Sequence, residues 1–76
     1  SEKMGAFRLE HVSKGILIRG KRLEQFTAMT DFKNASGRSR FRDVAQRIGL
    51  IRALEKELKP GEDIFIGERS VKEYLM

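Results

Sequence analysis

The stretch RSRFRDVAQRIGLIRALEKELKPG, residues 38–61, decides the fold. Its apolar residues recur at three- and four-residue spacing, which predicts a helix with one buried face. Ser39 is a candidate N-cap, and Pro60 followed by Gly61 ends the pattern. The sequence therefore predicts a central helix over residues 39–59. The positions expected to face inward are Phe41, Val44, Ala45, Ile48 and Ile51.

The apolar stripe of this helix shifts at Gly49, because the leucines that follow do not continue the earlier face. A glycine inside a helix costs about 1 kcal/mol relative to alanine, so a kink is the first interpretation. The alternative is a helix-turn-helix with Gly49 in the tight turn. Its second helix would offer alternating Glu and Lys in place of the Arg, Asn or Gln that read base edges. A kinked helix is therefore favoured.

Outside the central helix the pattern is that of strands. Residues 6–12 alternate apolar and charged side chains, and Ile16 to Ile18 follows a Ser-Lys-Gly turn signal, which predicts a β-hairpin. Residues 24–32 fit either a third strand or a helix, and two threonines after a glycine favour the strand. Residues 63–67 predict a short strand, and residues 70–76 predict one or two helical turns.

These elements predict an α+β fold. A small antiparallel sheet, made of a β-hairpin or three-strand meander plus one short C-terminal strand, packs on the kinked central helix 39–59 and a short C-terminal helix. Residues 1–5 are expected to be a frayed N-terminus and residues 6–76 one domain, because 76 residues bury only one small core. With no cysteine and no apolar run approaching 20 residues, we expect a cytoplasmic location and no membrane contact.

The net charge of +5 is concentrated in the middle of the chain. Residues 33–52 carry six cations and one acid, an excess equal to that of the whole protein. Five of the six cations are arginine, whose planar guanidinium suits phosphate and carboxylate recognition better than lysine does. This segment is therefore the candidate contact surface.

The residue types needed for common enzyme chemistry are scarce. There is one histidine, His11, and no cysteine, and the closely spaced acids fall at expected helix-surface and turn positions. No glycine-rich phosphate loop of the G-x-x-x-x-G-K-[ST] type occurs. We therefore expect a non-enzymatic protein without a metal site or cofactor.

The basic segment predicts contact with nucleic-acid phosphates. Residues 34–39 lead into the predicted helix, where backbone N–H groups would cradle a phosphate. Phe32 and Phe41 flank the Arg-rich loop and are candidates for stacking on bases. The alternative is a protein-interaction module or inhibitor that docks on an acidic partner. Either would suit a regulatory or accessory factor. The candidate binding residues are Lys33, Asn34, Arg38, Ser39, Arg40, Arg42, Arg47 and Arg52.

Overall fold

A four-stranded sheet with helices packed against one face makes up the protein, and the predicted α+β class is confirmed. The computed structural model describes residues 3–76. Within them no helix is long and apolar enough to cross a membrane. In chain order the elements are β1 (Arg8–Val12), β2 (Gly15–Arg19), α1 (Lys21–Ala28), α2 (Ala35–Arg47), α3 (Leu50–Glu57), β3 (Asp63–Ile66), β4 (Arg69–Ser70) and α4 (Lys72–Leu75).

The sheet has the strand order β1-β2-β3-β4 and is mixed. The predicted hairpin is present as an antiparallel pair, with Leu9 opposite Ile18. The expectation of a wholly antiparallel sheet is wrong, because β2 and β3 run parallel, with Ile16 opposite Ile64. Three helices separate these two strands, and such a helical crossover is what returns a chain to the same end of a sheet. The predicted C-terminal strand β3 then pairs with the two-residue β4, which the sequence did not reveal.

One face of the sheet forms the floor of the core. Ile16, Ile18, Ile64 and Ile66 are buried there against helix residues. Alternate residues point to the opposite side of a strand. Side chains such as that of Leu17 therefore lie on the outer face, where they are half-buried and outside the core cluster.

The predicted third strand is a helix, α1. The threonines that suggested a strand bond back to the preceding helical turn, with Thr27 Oγ1 donating to the Leu23 carbonyl and Thr30 Oγ1 donating to the Phe26 carbonyl, each at 2.8 Å. Such i to i−4 bonds satisfy the hydroxyl without interrupting the helix. The threonines favour a strand, but these hydrogen bonds and the burial of Leu23 stabilise a helix instead.

The central helical region begins at Ala35, earlier than predicted, and breaks at Gly49. Its N-cap is Asn34, so the expectation of a cap at Ser39 is wrong. The predicted helix over residues 39–59 is two helices, α2 and α3, and the break between them is compatible with the expected kink. At the break Gly49 has φ 81°, in the left-handed region that favours glycine. The Gly49 carbonyl nevertheless accepts from Ala53 N at 3.1 Å, so α3 restarts at once.

The N-terminal segment is only partly covered by the described residues. Of the predicted frayed end, residues 1–2 lie outside them. The next residues form a turn, in which Ala6 N donates to the Lys3 carbonyl at 3.0 Å. Met4 is half-buried and packs against the core.

The positive φ of Gly49 yields a test of the helix break. Replacing Gly49 with Ala should lower the free energy of unfolding by about 1 kcal/mol, because a Cβ disfavours the left-handed conformation by about 1–2 kcal/mol even though no atom crowds it. Gly49→Asn should cost less, since asparagine tolerates this region. Urea unfolding of the three proteins checks the order. A neutral or stabilising alanine would indicate a continuous helix through this position.

Candidate nucleic-acid interface

The orientation of α2 about its axis decides where its cations point. Phe41 and Ala45 are buried, which turns one side of the helix to the core. Arg40 and Arg47 are seven residues apart, about two helical turns, and both are exposed on one flank. Arg42 lies about 200° around the axis from Arg40. The expectation that it projects beside Arg40 and Arg47 is therefore wrong.

Two of the predicted binding residues, Arg38 and Arg42, donate hydrogen bonds to backbone carbonyls elsewhere in the chain. The half-buried Arg38 donates from its guanidinium to the Phe32 carbonyl at 2.8 Å, closing the loop before α2. Arg42 donates to the Leu75 carbonyl at 2.5 Å, joining α2 to α4. Both acceptors are neutral, so neither bond cancels the positive charge. These arginines add positive charge to the protein, but hydrogen bonds to other parts of the chain hold their guanidinium groups in place.

The predicted phosphate cradle at residues 34–39 is not free to bind. Asn34 Oδ1 accepts from Ser36 N at 2.8 Å and from Gly37 N at 3.4 Å, and it also accepts from Ser36 Oγ at 2.6 Å. Asn34 therefore caps the helix, and its side chain already accepts from the backbone N–H groups that would otherwise donate to a phosphate. The expectation of a backbone anion site here is wrong.

The remaining candidates are exposed. Lys33 stands in the loop before α2, and its backbone N–H donates to Asp31 Oδ1 at 3.0 Å. Ser39 is exposed on α2. Arg52 lies on the side of α3 away from the buried Leu50 and Leu54. We call Lys33, Arg40 and Arg47 the basic face.

Few carboxylates neutralise this part of the protein. Asp43 pairs with Arg47 at 3.0 Å, and the two side chains are 54% and 76% exposed, so the pair is weak and open to competition. Among the described residues, no carboxylate lies within 4.0 Å of the side-chain nitrogens of Lys33, Arg38, Arg40, Arg42 or Arg52. By contrast, Arg8 and Arg19 on the sheet lie near Glu10 and Glu24.

The aromatic side chains predicted to stack on bases are in the core. Phe32 is 6% exposed and Phe41 is 1% exposed, and their rings meet edge to face at 4.9 Å. Phe26 was not predicted as a site residue. It is half-buried on α1, and its ring lies parallel to that of Phe41 with the ring centroids 6.3 Å apart. The signal was the spacing of Leu23, Phe26 and Met29, which places them on one face if the segment is a helix.

Phe26 lines a small cavity beside the basic face. The cavity has a volume of about 280 Å³ and lies between the end of α1 and the start of α2. We call it the α1–α2 groove. Its lining residues are Phe26, Met29, Thr30, Asp31, Gly37 and Arg40.

A larger cavity, about 990 Å³, lies between α1 and the C-terminal elements, and its charged lining residues are mainly acidic. Glu24, Glu68 and Glu73 line it with one cation, Arg69. Three carboxylates against one guanidinium disfavour phosphate there.

The single histidine has a structural contact. His11 Nε2 lies 3.0 Å from Glu57 Oε1, which connects β1 to α3. Within residues 3–76, no three His, Asp or Glu side chains are grouped closely enough to hold a metal ion.

Comparison with known proteins identifies a family without an assigned function. The profile of the family described as a domain of unknown function, DUF1967, matches residues 7–72, and the chain belongs to this family. No curated protein and no solved structure gives a significant match.

The capping role of Asn34 yields a matched pair of variants. Asn34→Ala should lower the free energy of unfolding by about 1 kcal/mol, because two backbone N–H groups of α2 lose their acceptor. Ser39→Ala, at the exposed position that the sequence suggested as the cap, should change it by less than about 0.5 kcal/mol. Thermal and urea unfolding measure both. The reverse order would place the helix start at Ser39.

Proposed function

We propose that this member of the DUF1967 family is a non-enzymatic, cytoplasmic module that binds nucleic acid, with the basic face contacting phosphates. The observation that supports the proposal most directly is the pair Arg40 and Arg47. Both are exposed on one flank of a helix whose other side is fixed by the core. Asp43 is the one acid in the segment that surrounds them.

The chemistry of these side chains suits phosphate contact. Arginine donates from a planar fork to phosphate oxygens, and neutralising phosphates releases condensed counterions into solution. The three residues of the basic face, together with Arg52 on α3, would supply about four contacts, which corresponds to a slope of log affinity against log salt of about −3 to −4 on duplex DNA. Such contacts fix the position of a nucleic acid without reading its sequence. We therefore expect limited sequence preference.

An acidic protein partner is the second candidate function. It is favoured by Met29, which is 85% exposed beside Arg40 in the α1–α2 groove. Apolar surface rimmed by a cation would suit a partner in which charge speeds the encounter and apolar contact holds the complex. Affinity capture from nuclease-treated lysate separates the two. A stoichiometric protein retained after nuclease treatment, together with no nucleic-acid binding by the pure protein, would support this second function.

The salt dependence of binding tests the proposed function. Arg40→Ala and Arg47→Ala should each reduce the magnitude of the slope on duplex DNA by about one unit, because each removes one phosphate contact. Arg8→Ala is the matched control, since it removes the same charge from an exposed position on the sheet. Fluorescence anisotropy at several salt concentrations gives the slopes, and circular dichroism checks the fold. Equal slopes for the Arg40/Arg47 double variant and the unaltered protein would contradict the proposal.

Asp43 provides a test by gain of binding, which misfolding cannot imitate. Asp43→Asn should raise nucleic-acid affinity about threefold at low salt, because a carboxylate that competes for Arg47 and repels phosphate is removed. The free energy of unfolding should change by less than about 1 kcal/mol, since the ion pair is exposed. Glu10→Gln, which removes the acid beside Arg8, is the control and should leave affinity unchanged. Unchanged or weakened binding by Asp43→Asn would exclude Arg47 from the contact.

A further inference from the structure

The α1–α2 groove has walls of distinct chemistry. Phe26 and Met29 provide the apolar side. Gly37 provides backbone. A Cβ at this position would lie 2.3 Å from the Asp31 carbonyl oxygen, so the close contact between α2 and the preceding loop requires glycine here. Arg40 and Asp31 are the two charged residues of the lining.

The exposure of Met29 indicates that the groove binds another molecule. The residue is 85% exposed, far more than Val12 at 38%, although Leu23 and Phe26 of the helix that it caps are packed against the core. Methionine is flexible and polarisable, and its sulfur makes favourable contacts with aromatic rings. An aromatic group lying between Met29 and Phe26 would cover apolar surface that is otherwise in water.

Arg40 and Asp31 each have side-chain atoms without a hydrogen-bond partner among residues 3–76. No residue among those described accepts a hydrogen bond from the Arg40 side chain. One oxygen of Asp31, Oδ1, accepts from Lys33 N, and within residues 3–76 no donor reaches Oδ2. The groove lining thus includes a cation for a phosphate and an acceptor for a hydroxyl. A ribonucleotide carries both groups beside its base, as the phosphate and the ribose 2′-hydroxyl.

We propose that the α1–α2 groove binds one unstacked base of single-stranded RNA. The base lies between Met29 and Phe26, the phosphate of its nucleotide contacts Arg40, and the 2′-hydroxyl of its ribose donates to Asp31. A base in a duplex is stacked on both sides and cannot enter, so the groove selects single strands. The ribose hydroxyl is the group that DNA lacks, so Asp31 favours RNA.

The outer face of the sheet is a less suitable place for this contact. It carries Phe65 beside Leu17, but the arginines flanking that pair lie near Glu10 and Glu24. Asp63 adds a further carboxylate on the same face. The α1–α2 groove is instead continuous with the basic face through Arg40, which belongs to both.

The test compares single-stranded RNA, single-stranded DNA and duplex RNA of equal length and matched salt concentration. The inference rests on the proposed function, so Arg40→Ala is measured alongside and should weaken binding to all three. The unaltered protein should bind single-stranded RNA about tenfold more tightly than duplex RNA. Met29→Ala should lower affinity for single-stranded RNA about fivefold, the lower end for removing a side chain that stacks on a base, and leave duplex binding and the salt slope unchanged. Met76→Ala, at another exposed methionine, is the control.

Asp31→Asn tests the sugar contact, because it keeps an acceptor for Lys33 N and removes the charge. It should reduce the preference for RNA over DNA at least twofold. Affinities for single-stranded RNA that are equal in Met29→Ala and the unaltered protein, with Arg40→Ala still weakening binding, would overturn the groove and leave the phosphate contact standing. An unchanged RNA preference in Asp31→Asn would overturn the sugar contact. Salt-independent or absent binding of every nucleic acid would contradict the proposed function itself.

Discussion

The structure depends on the burial of Phe41. Its ring, 1% exposed, lies parallel to Phe26 of α1 and edge to face with Phe32 of the following loop, and Phe32 in turn stacks on Tyr74 of α4 at 4.4 Å. One side chain of α2 therefore contacts the elements before it and, through Phe32, the C-terminal helix. Aromatic pairs of this kind are worth about 0.5–1.5 kcal/mol beyond the area they bury. Because Phe41 fixes the rotation of α2 about its axis, it also fixes the direction of every arginine on that helix.

This rotation divides the basic segment into two groups with different roles. Arg38 and Arg42 lie on the flank that turns toward the rest of the chain, where they donate to backbone carbonyls. Arg40 and Arg47 lie on the flank that faces water. The anchored pair stiffens the loop and the C-terminal contact, while the exposed pair is held on a helix that is capped at Asn34 and stops at Gly49. The binding that we propose thus uses cations whose backbone positions are set in advance, which lowers the entropy lost on contact.

The sequence predicted the features that arise from local periodicity. The hairpin, the helical region after the loop, the break at Gly49 and the last strand and helix were all foreseen. It could not show that the hydroxyls of Thr27 and Thr30 would donate to carbonyls of α1, because β-branched side chains favour a strand until those acceptors exist. The parallel pairing of β2 with β3 follows from that helix and was missed with it. Within the candidate site, the charge excess was visible, but the separation of Arg42 from Arg40 requires the helix orientation. The α1–α2 groove requires the packing of two helices that the sequence did not pair.

The most direct measurement of whether the basic face binds nucleic acid is an NMR titration of the labelled protein with a short single-stranded RNA, followed through backbone amides and methionine methyl groups. We predict salt-sensitive shift changes at Lys33, Arg40, Arg47 and the Met29 methyl, with the amides of Leu17 and Phe65 on the outer sheet face unmoved. Shift changes confined to the outer sheet face, or none at any RNA concentration, would contradict this.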